Sequence, residues 1–98
     1  MTRHETIRRL QRHKAEIRRF GVRHLAVFGS TARDEATPHS DIDVLVEFEP
    51  HVRIGLFGFV ELQHVLSGIL SNRIDLATPA ALRPEMREEI LAEAVRVF

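Results

Sequence analysis

The spacing of apolar residues along this chain switches between a helical period and a strand period. In three stretches apolar residues recur every three to four positions, as on one face of a helix. These stretches predict helices at residues 3–19, at Leu56–Leu70 and from Pro84 onward. Denser apolar runs predict strands at Val22–Phe28, Ile42–Phe48 and Arg73–Ala77, and a short one at Val95–Phe98. We therefore expect an α+β fold, in which a small mixed β-sheet is flanked by helices.

The first predicted helix is amphipathic. Its apolar stripe consists of Ile7, Leu10, Ile17 and Phe20. Thr2 is placed to cap its start, Glu5 stands at the third position of a capping box, and Gly21 suits its end. The arginines on the opposite face suit either a polyanion-binding surface or an ordinary solvated face, and the balanced charge of the whole chain favours the solvated face.

The two later helices carry wide apolar faces. In the longer one we expect core positions at Phe59, Leu62, Leu66 and Ile69. That face is widened by Leu56, Phe57, Val60, Val65 and Leu70. This is more apolar surface than a small sheet needs, so part of it could form a subunit contact, although core packing accounts for most of it. For the last helix we expect a buried side made of Met86, Ile90, Leu91 and Ala94.

Length and composition limit the class of protein. Ninety-eight residues suffice for one domain, residues 1–98, and a hydrophobic content of 44% argues against disorder. Fourteen basic and fourteen acidic residues cancel, so we expect no direct nucleic-acid binding. Without cysteine the chain forms neither a disulfide nor a thiolate metal site. No apolar run is long enough to cross a membrane and the first residues lack a signal-peptide core, so we expect a cytoplasmic protein.

The strand that ends at Gly29-Ser30 continues into a short predicted helix, Thr31–Glu35, and so offers free backbone N–H groups. Such donors, together with the Ser30 hydroxyl, bind phosphate oxygens. Ten residues separate Ser30 from Asp41, and Asp41 and Asp43 share one face of the next strand because they are two positions apart. Converging carboxylates repel each other unless a cation lies between them. A phosphate-binding turn that faces two carboxylates is what a magnesium–nucleotide complex requires.

Each of these features also has an ordinary structural interpretation. Gly-Ser after a strand is usually a turn, and Asp-x-Asp at a strand start is often only solvated charge. Asp75 alone could be a hydrogen-bond acceptor. Arg33 could reach a triphosphate oxygen or could pair with a carboxylate to hold the short helix, and both alternatives stay open. Taken together at this spacing, the features favour a site.

Three segments resemble the minimal nucleotidyltransferases (MNT) of the DNA polymerase β-like nucleotidyltransferase superfamily. They are Gly29-Ser-Thr-Ala-Arg33, Ser40-Asp-Ile-Asp43 and Arg73-Ile-Asp-Leu76. The resemblance extends from about Gly21 to the C-terminus. One departure is Asp34, which stands where many relatives have glycine. The resemblance implies a nucleotidyltransferase fold and the transfer of a nucleoside monophosphate from a triphosphate to a hydroxyl.

The same resemblance implies a role for each candidate residue. Asp41 and Asp43 would bridge two Mg²⁺ ions, and Asp75 would complete the metal site as the third catalytic carboxylate. ATP would be the substrate. Its phosphates would be bound by Gly29, Ser30 and Arg33.

Proteins of this kind are often paired with HEPN-domain proteins in toxin–antitoxin modules. The implied function is an antitoxin that transfers AMP from ATP to a tyrosine hydroxyl of a HEPN-domain toxin. Two alternatives are a non-catalytic antitoxin that neutralises its partner by occlusion and a transferase that acts on a small-molecule hydroxyl. The sequence is compatible with a homodimer and with a hetero-oligomer.

Overall fold

The computed structural model describes residues 1–98 as five α-helices, four strands and one 3₁₀ turn. The helices are α1 (Arg3–Arg12), α2 (Lys14–Arg18), α3 (Gly29–Ala32), α4 (Leu56–Leu70) and α5 (Pro84–Glu93). The strands are β1 (Val22–Phe28), β2 (Ile42–Phe48), β3 (Ile74–Ala77) and β4 (Val95–Arg96), with the 3₁₀ turn at Pro79–Ala81. This is the α+β arrangement expected from the sequence, and no helix has the length and apolar character needed to cross a membrane.

The four strands form one mixed sheet in the order β3-β2-β1-β4. Strand β1 runs antiparallel to both β2 and β4, whereas β2 and β3 are parallel. The parallel register sets Asp43 beside Asp75, and the antiparallel register sets Asp43 beside Phe28. The C-terminal end of β1 and two of the three candidate carboxylates, Asp43 and Asp75, therefore lie side by side at the same end of the strands.

The hydrophobic core lies on one face of this sheet, under α1, α2 and α4. Alternation along β2 sends Val44 and Val46 into that core and leaves Asp43 on the opposite face. The helices complete the core with fully buried side chains at Leu10, Ile17, Leu62, Leu66 and Leu70. Because the core faces one way, the carboxylates face the other, where a ligand can reach them.

The first helix is shorter than predicted, because it breaks at His13 and resumes as α2. The backbone of His13 leaves the helical region (φ −104°, ψ 17°), and Leu10 and Ile17, one on each side of the break, are both fully buried in the core. The predicted cap at Thr2 is confirmed, since its hydroxyl accepts a hydrogen bond from the Glu5 N–H at 3.1 Å. Gly21 ends the segment with φ +85°, a left-handed backbone that suits glycine.

The expected buried side of the last helix is wrong. Helix α5 has no buried residue, and Met86 and Leu91 are each 46% exposed. The reason is its position: it packs beside α3 and β1 on the face of the sheet that carries the carboxylates, where there is no second core. It ends at the short strand β4, beyond which Val97 continues to pair with Leu25 (N···O 2.7 Å).

Helix α4 has the predicted bounds, but its apolar face is divided. Leu62, Leu66 and Leu70 fill the core, whereas Phe57 is 90% exposed and Leu56 is 75% exposed. Core packing therefore explains only part of the apolar surface of α4. The first turn of this helix presents apolar side chains to solvent.

Candidate active site

The Gly29 turn joins β1 directly to α3. The helix begins at Gly29 and ends at Ala32, earlier than the predicted Thr31–Glu35, because the chain turns as soon as the strand ends. Gly29 has φ +65°, a conformation that side chains disfavour, and a Cβ built there would collide with the Asp43 carboxylate. Glycine is therefore required both by the backbone conformation and by the close approach of β2.

Asp34, the departure from the family pattern described above, takes a conformation that favours glycine, with φ +57°. Its carboxylate accepts a hydrogen bond from the Arg3 N–H at 2.9 Å, which ties the start of α1 to the end of the Gly29 turn. The residue thus keeps the turn while adding a contact that glycine lacks.

We expect Asp34→Ala to lower the free energy of unfolding by about 2 kcal/mol, since alanine pays about 1 kcal/mol in this conformation and loses the bond to Arg3. Asp34→Gly also loses the hydrogen bond from Arg3, but glycine adopts a positive φ without strain, so the free energy of unfolding should fall by less. Urea denaturation of both variants measures the difference. A larger loss for glycine than for alanine would show that the positive φ is not the controlling term.

The three candidate carboxylates do not contribute equally. Asp43 and Asp75 are cross-strand neighbours on the same face of the sheet, as the parallel register requires. Asp41 precedes β2, is exposed, and has Arg73 as its nearest cation at 3.9 Å. The structure thus brings Asp43 and Asp75 together and leaves Asp41 at the rim.

Asp43 is the electrostatically strained member of the group. Partial burial and the neighbouring Asp75 carboxylate raise the pKa of Asp43 from 3.8 to about 6, with smaller effects from Asp41 and Glu93. A carboxylate whose ionisation is opposed by two or three like charges fits a cation at this position. A metal site here rests on the pairing of Asp43 with Asp75 in the parallel register. No group of three or more acidic, histidine or cysteine side chains is arranged as a complete ligand set.

Arg33 pairs with carboxylates in the free chain. Its guanidinium lies 3.0 Å from Glu93 Oε2 and 3.3 Å from Glu35 Oε2. Hydrogen bonds to these two carboxylates raise the pKa of Arg33 above its usual value. Of the two roles left open by the sequence, the structure shows the pairing role, with Glu93 on α5 as the main partner.

Glu93 is the site residue that sequence reasoning missed. Its second oxygen, Oε1, accepts a hydrogen bond from the Gly29 N–H at 2.8 Å, so one carboxylate binds both Gly29 and Arg33. Glu93 stands more than sixty positions beyond Gly29 in the chain, and in the sequence it is one of several acidic residues in α5. The one feature of the sequence that points to Glu93 is its position just before the short predicted terminal strand, which in the structure pairs with β1.

Two clefts are lined by the candidate carboxylates. One, of about 200 Å³, lies between the Gly29 turn and α5, and its lining includes Gly29, Arg33 and Asp43. The other, of about 360 Å³, lies between β3 and α4, and its lining includes Asp41 and Asp75. Because Asp43 and Asp75 are cross-strand neighbours, a ligand in each cleft would lie beside the same carboxylate pair, as a group-transfer reaction between a donor and an acceptor requires.

The family profile of the nucleotidyltransferase domain matches residues 10–97, and the chain belongs to this family. It is 43% identical over 89 residues to the protein adenylyltransferase MntA of Thermococcus cleftensis, a match that covers 90% of this chain and 88% of that protein. The chain is therefore a nucleotidyltransferase, and the resemblance found in the sequence is confirmed.

Solved structures show the same fold. One that is named for the minimal nucleotidyltransferases superimposes with a TM-score of 0.78 at 36% identity, and the match covers 97% of this chain and 95% of that one. Another is a complex of an MNT antitoxin with a tri-AMPylated HEPN toxin from Shewanella oneidensis. One chain of that complex superimposes with a TM-score of 0.63 at 15% identity, and the match covers 90% of this chain and 68% of that chain.

Proposed function

We propose that this chain is an antitoxin that transfers AMP from ATP to a tyrosine hydroxyl of a HEPN-domain toxin in a Mg²⁺-dependent reaction. The observation that carries the proposal is the Asp43–Asp75 pair: Asp43 lines the cleft that contains Gly29, and its cross-strand neighbour Asp75 lines a second cleft. The similarity to a protein adenylyltransferase and to an MNT antitoxin bound to an AMPylated toxin supports the choice of AMP and of a HEPN partner.

The side of the site beside the Gly29 turn suits the triphosphate. The Ser30 hydroxyl would donate to phosphate oxygens, as would the Gly29 N–H and the Arg33 guanidinium once both are released from Glu93. The cleft beside α4 suits the acceptor, because Asp41 and Asp75 line it. The two substrates would then meet at Asp43.

Mg²⁺ held by Asp41, Asp43 and Asp75 would neutralise the developing charge on the phosphate oxygens and lower the pKa of the attacking hydroxyl. The chain itself supplies the rest. Asp75, which lines the cleft assigned to the acceptor, would receive the proton of the hydroxyl, and the α-phosphate–oxygen bond to pyrophosphate would break as the new bond to the tyrosine oxygen forms. Addition of AMP gives the toxin bulk and negative charge at the modified residue.

Occlusion is the second candidate function. Two observations favour it: the apolar first turn of α4 is exposed at Leu56 and Phe57, and the three carboxylates do not form a complete metal-ligand set in the free chain. A binding surface without chemistry would account for both. It would not account for the converging pair Asp43 and Asp75, whose repulsion opposes ionisation without a cation.

Turnover distinguishes the two functions. We expect one equivalent of this protein, with ATP and Mg²⁺, to silence at least a tenfold molar excess of the HEPN-domain toxin encoded in the same genome, because a covalent product outlives the encounter. Residual ribonuclease activity against the molar ratio is the measurement. Silencing that needs a one-to-one ratio, ignores ATP and survives Asp43→Asn would contradict the enzymatic mechanism.

A further inference from the structure

The Glu93 carboxylate binds the Gly29 turn as an anionic ligand would. Its two oxygens accept separately, one from the Gly29 N–H at 2.8 Å and the other from the Arg33 guanidinium at 3.0 Å. Glu93 is the last residue of α5, and its side chain is only 23% exposed. A backbone N–H and a guanidinium pointing at one anion form a small anion-binding site, and here that site is filled from within the chain.

A phosphate group presents the same chemistry to these donors. Carboxylate and phosphate are both anionic acceptors that can take a backbone N–H and a guanidinium at once. Gly29 and Arg33 line the cleft assigned to the triphosphate, so the ligand of that cleft and Glu93 would need the same two donors. Two anions cannot share them without strong repulsion.

Helix α5 is weakly held, so replacing its Glu93 carboxylate with a phosphate group at the Gly29 turn would cost little packing energy. None of its ten residues is buried, and Met86 and Leu91 are half exposed. Its side-chain hydrogen bonds outside the Glu93 contacts amount to one long bond from Arg87 to the Ala80 carbonyl, at 3.4 Å. Few buried contacts mean a low cost of local displacement.

We propose that Glu93 holds the place of a phosphate group in the free protein, and that a nucleoside triphosphate binds productively only after Glu93 releases Gly29 and Arg33. This inference rests on the proposed function, because it takes a triphosphate to be the ligand of the cleft. Glu93 is then a residue that sets triphosphate affinity, and its side chain leaves the Gly29 turn whenever the donor substrate enters, while the paired strand β4 stays in place.

Calorimetric titration with a non-hydrolysable ATP analogue and Mg²⁺ tests the proposal on the whole chain. We expect Glu93→Gln to bind the analogue roughly tenfold more tightly than the unchanged protein, since the competing charge-assisted bonds are weakened. Glu93→Ala, which removes the competing oxygens altogether, should bind at least as tightly as Glu93→Gln. Circular dichroism verifies that both variants are folded.

Two matched variants separate contact from charge. Glu89 lines the same cleft without bonding to Gly29 or Arg33, so Glu89→Gln removes one negative charge but frees no donor. Glu35 bonds to Arg33 alone, so Glu35→Gln frees part of one donor. Both should change affinity by no more than about twofold.

Unchanged or weaker binding in the two Glu93 variants, with normal binding in the unchanged protein, would overturn this inference. Glu93 would then be a permanent brace of the turn, and the proposed function would stand. An equal gain in Glu89→Gln would also overturn it, because general charge would explain the effect. If neither the unchanged protein nor any variant bound the analogue at millimolar concentration, the proposed function would fail together with this inference.

Discussion

Asp43→Asn is expected to reduce AMP transfer by about 10³-fold, because a bound metal ion supplies several kcal/mol of transition-state stabilisation and each 1.36 kcal/mol is worth a factor of ten. Asp43 is the residue shared by both halves of the site. It lies beside Asp75 in the parallel register, and it lines the cleft that contains Gly29 and Arg33. Asparagine keeps the size of the side chain and removes the charge that would hold the cation.

The same substitution should stabilise the metal-free protein at neutral pH. The pKa of Asp43 is about 6 in the folded chain, against an ordinary value of 3.8. Well below pH 3.8 the carboxyl is protonated in both states and costs nothing. As pH rises toward 6 the unfolded chain ionises while the folded chain resists, so stability is lost, and the loss is complete above about pH 6. A shift of about two units corresponds to about 3 kcal/mol, which partial exposure reduces to roughly 1–2 kcal/mol.

Chemical denaturation in the presence of a chelator, at pH 4 and pH 7.5, measures this effect. We expect Asp43→Asn to exceed the unchanged protein by about 1–2 kcal/mol at pH 7.5, with the difference nearly gone at pH 4. Exposed Glu61→Gln provides a charge-matched control and should show no such dependence. Undiminished transfer by Asp43→Asn would refute the metal assignment, and a stability gain independent of pH would refute its electrostatic cause.

Gly29→Val is expected to abolish detectable triphosphate binding and to lower the free energy of unfolding by about 2–4 kcal/mol. A β-branched residue at φ +65° costs about 1–3 kcal/mol, and its Cβ would collide with the Asp43 carboxylate. The side chain therefore damages the phosphate-binding turn and displaces the residue assigned to the metal. Calorimetric titration with the non-hydrolysable analogue, and urea denaturation, measure the two effects.

Two comparisons sharpen that experiment. Ser30→Ala removes a single hydroxyl and should weaken binding by no more than about tenfold, less than Gly29→Val does. Gly68→Val places the same side chain in α4, where a Cβ meets nothing within 4 Å, so it should leave triphosphate binding unchanged. A variant order in which Ser30→Ala binds more weakly than Gly29→Val would show that the hydroxyl, not the close approach of the backbone, governs phosphate binding.

Elements with strong local patterns were predictable, and elements decided by their surroundings were not. The apolar runs at Val22–Phe28 and Ile42–Phe48 form strands with the expected bounds. The long helix Leu56–Leu70 also has its expected bounds. The break at His13 was missed because helical spacing continues through it in the sequence. The exposure of α5 was missed because amphipathicity shows which face is apolar, but not whether a core exists for it to meet.

The candidate site divides in the same way. The convergence of Asp43 and Asp75 follows once the strands are known to be parallel neighbours. The Gly29-Ser30 turn can be predicted from the local sequence, because the apolar strand ends there. The part played by Glu93 depends on where α5 ends in space relative to Gly29, which no local pattern encodes. Asp34 was noted as a departure from relatives, yet only its φ of +57° shows that it preserves the turn.

The intact mass of the toxin tests the central claim most directly. A purified HEPN-domain protein, taken from the genome that encodes this chain, would be weighed before and after incubation with a catalytic amount of this protein, ATP and Mg²⁺. Our account predicts that the toxin gains mass in whole units of AMP, that peptide mapping places the gain on tyrosine, and that Asp43→Asn leaves the mass unchanged. A toxin that is fully inhibited but keeps its original mass would contradict the account.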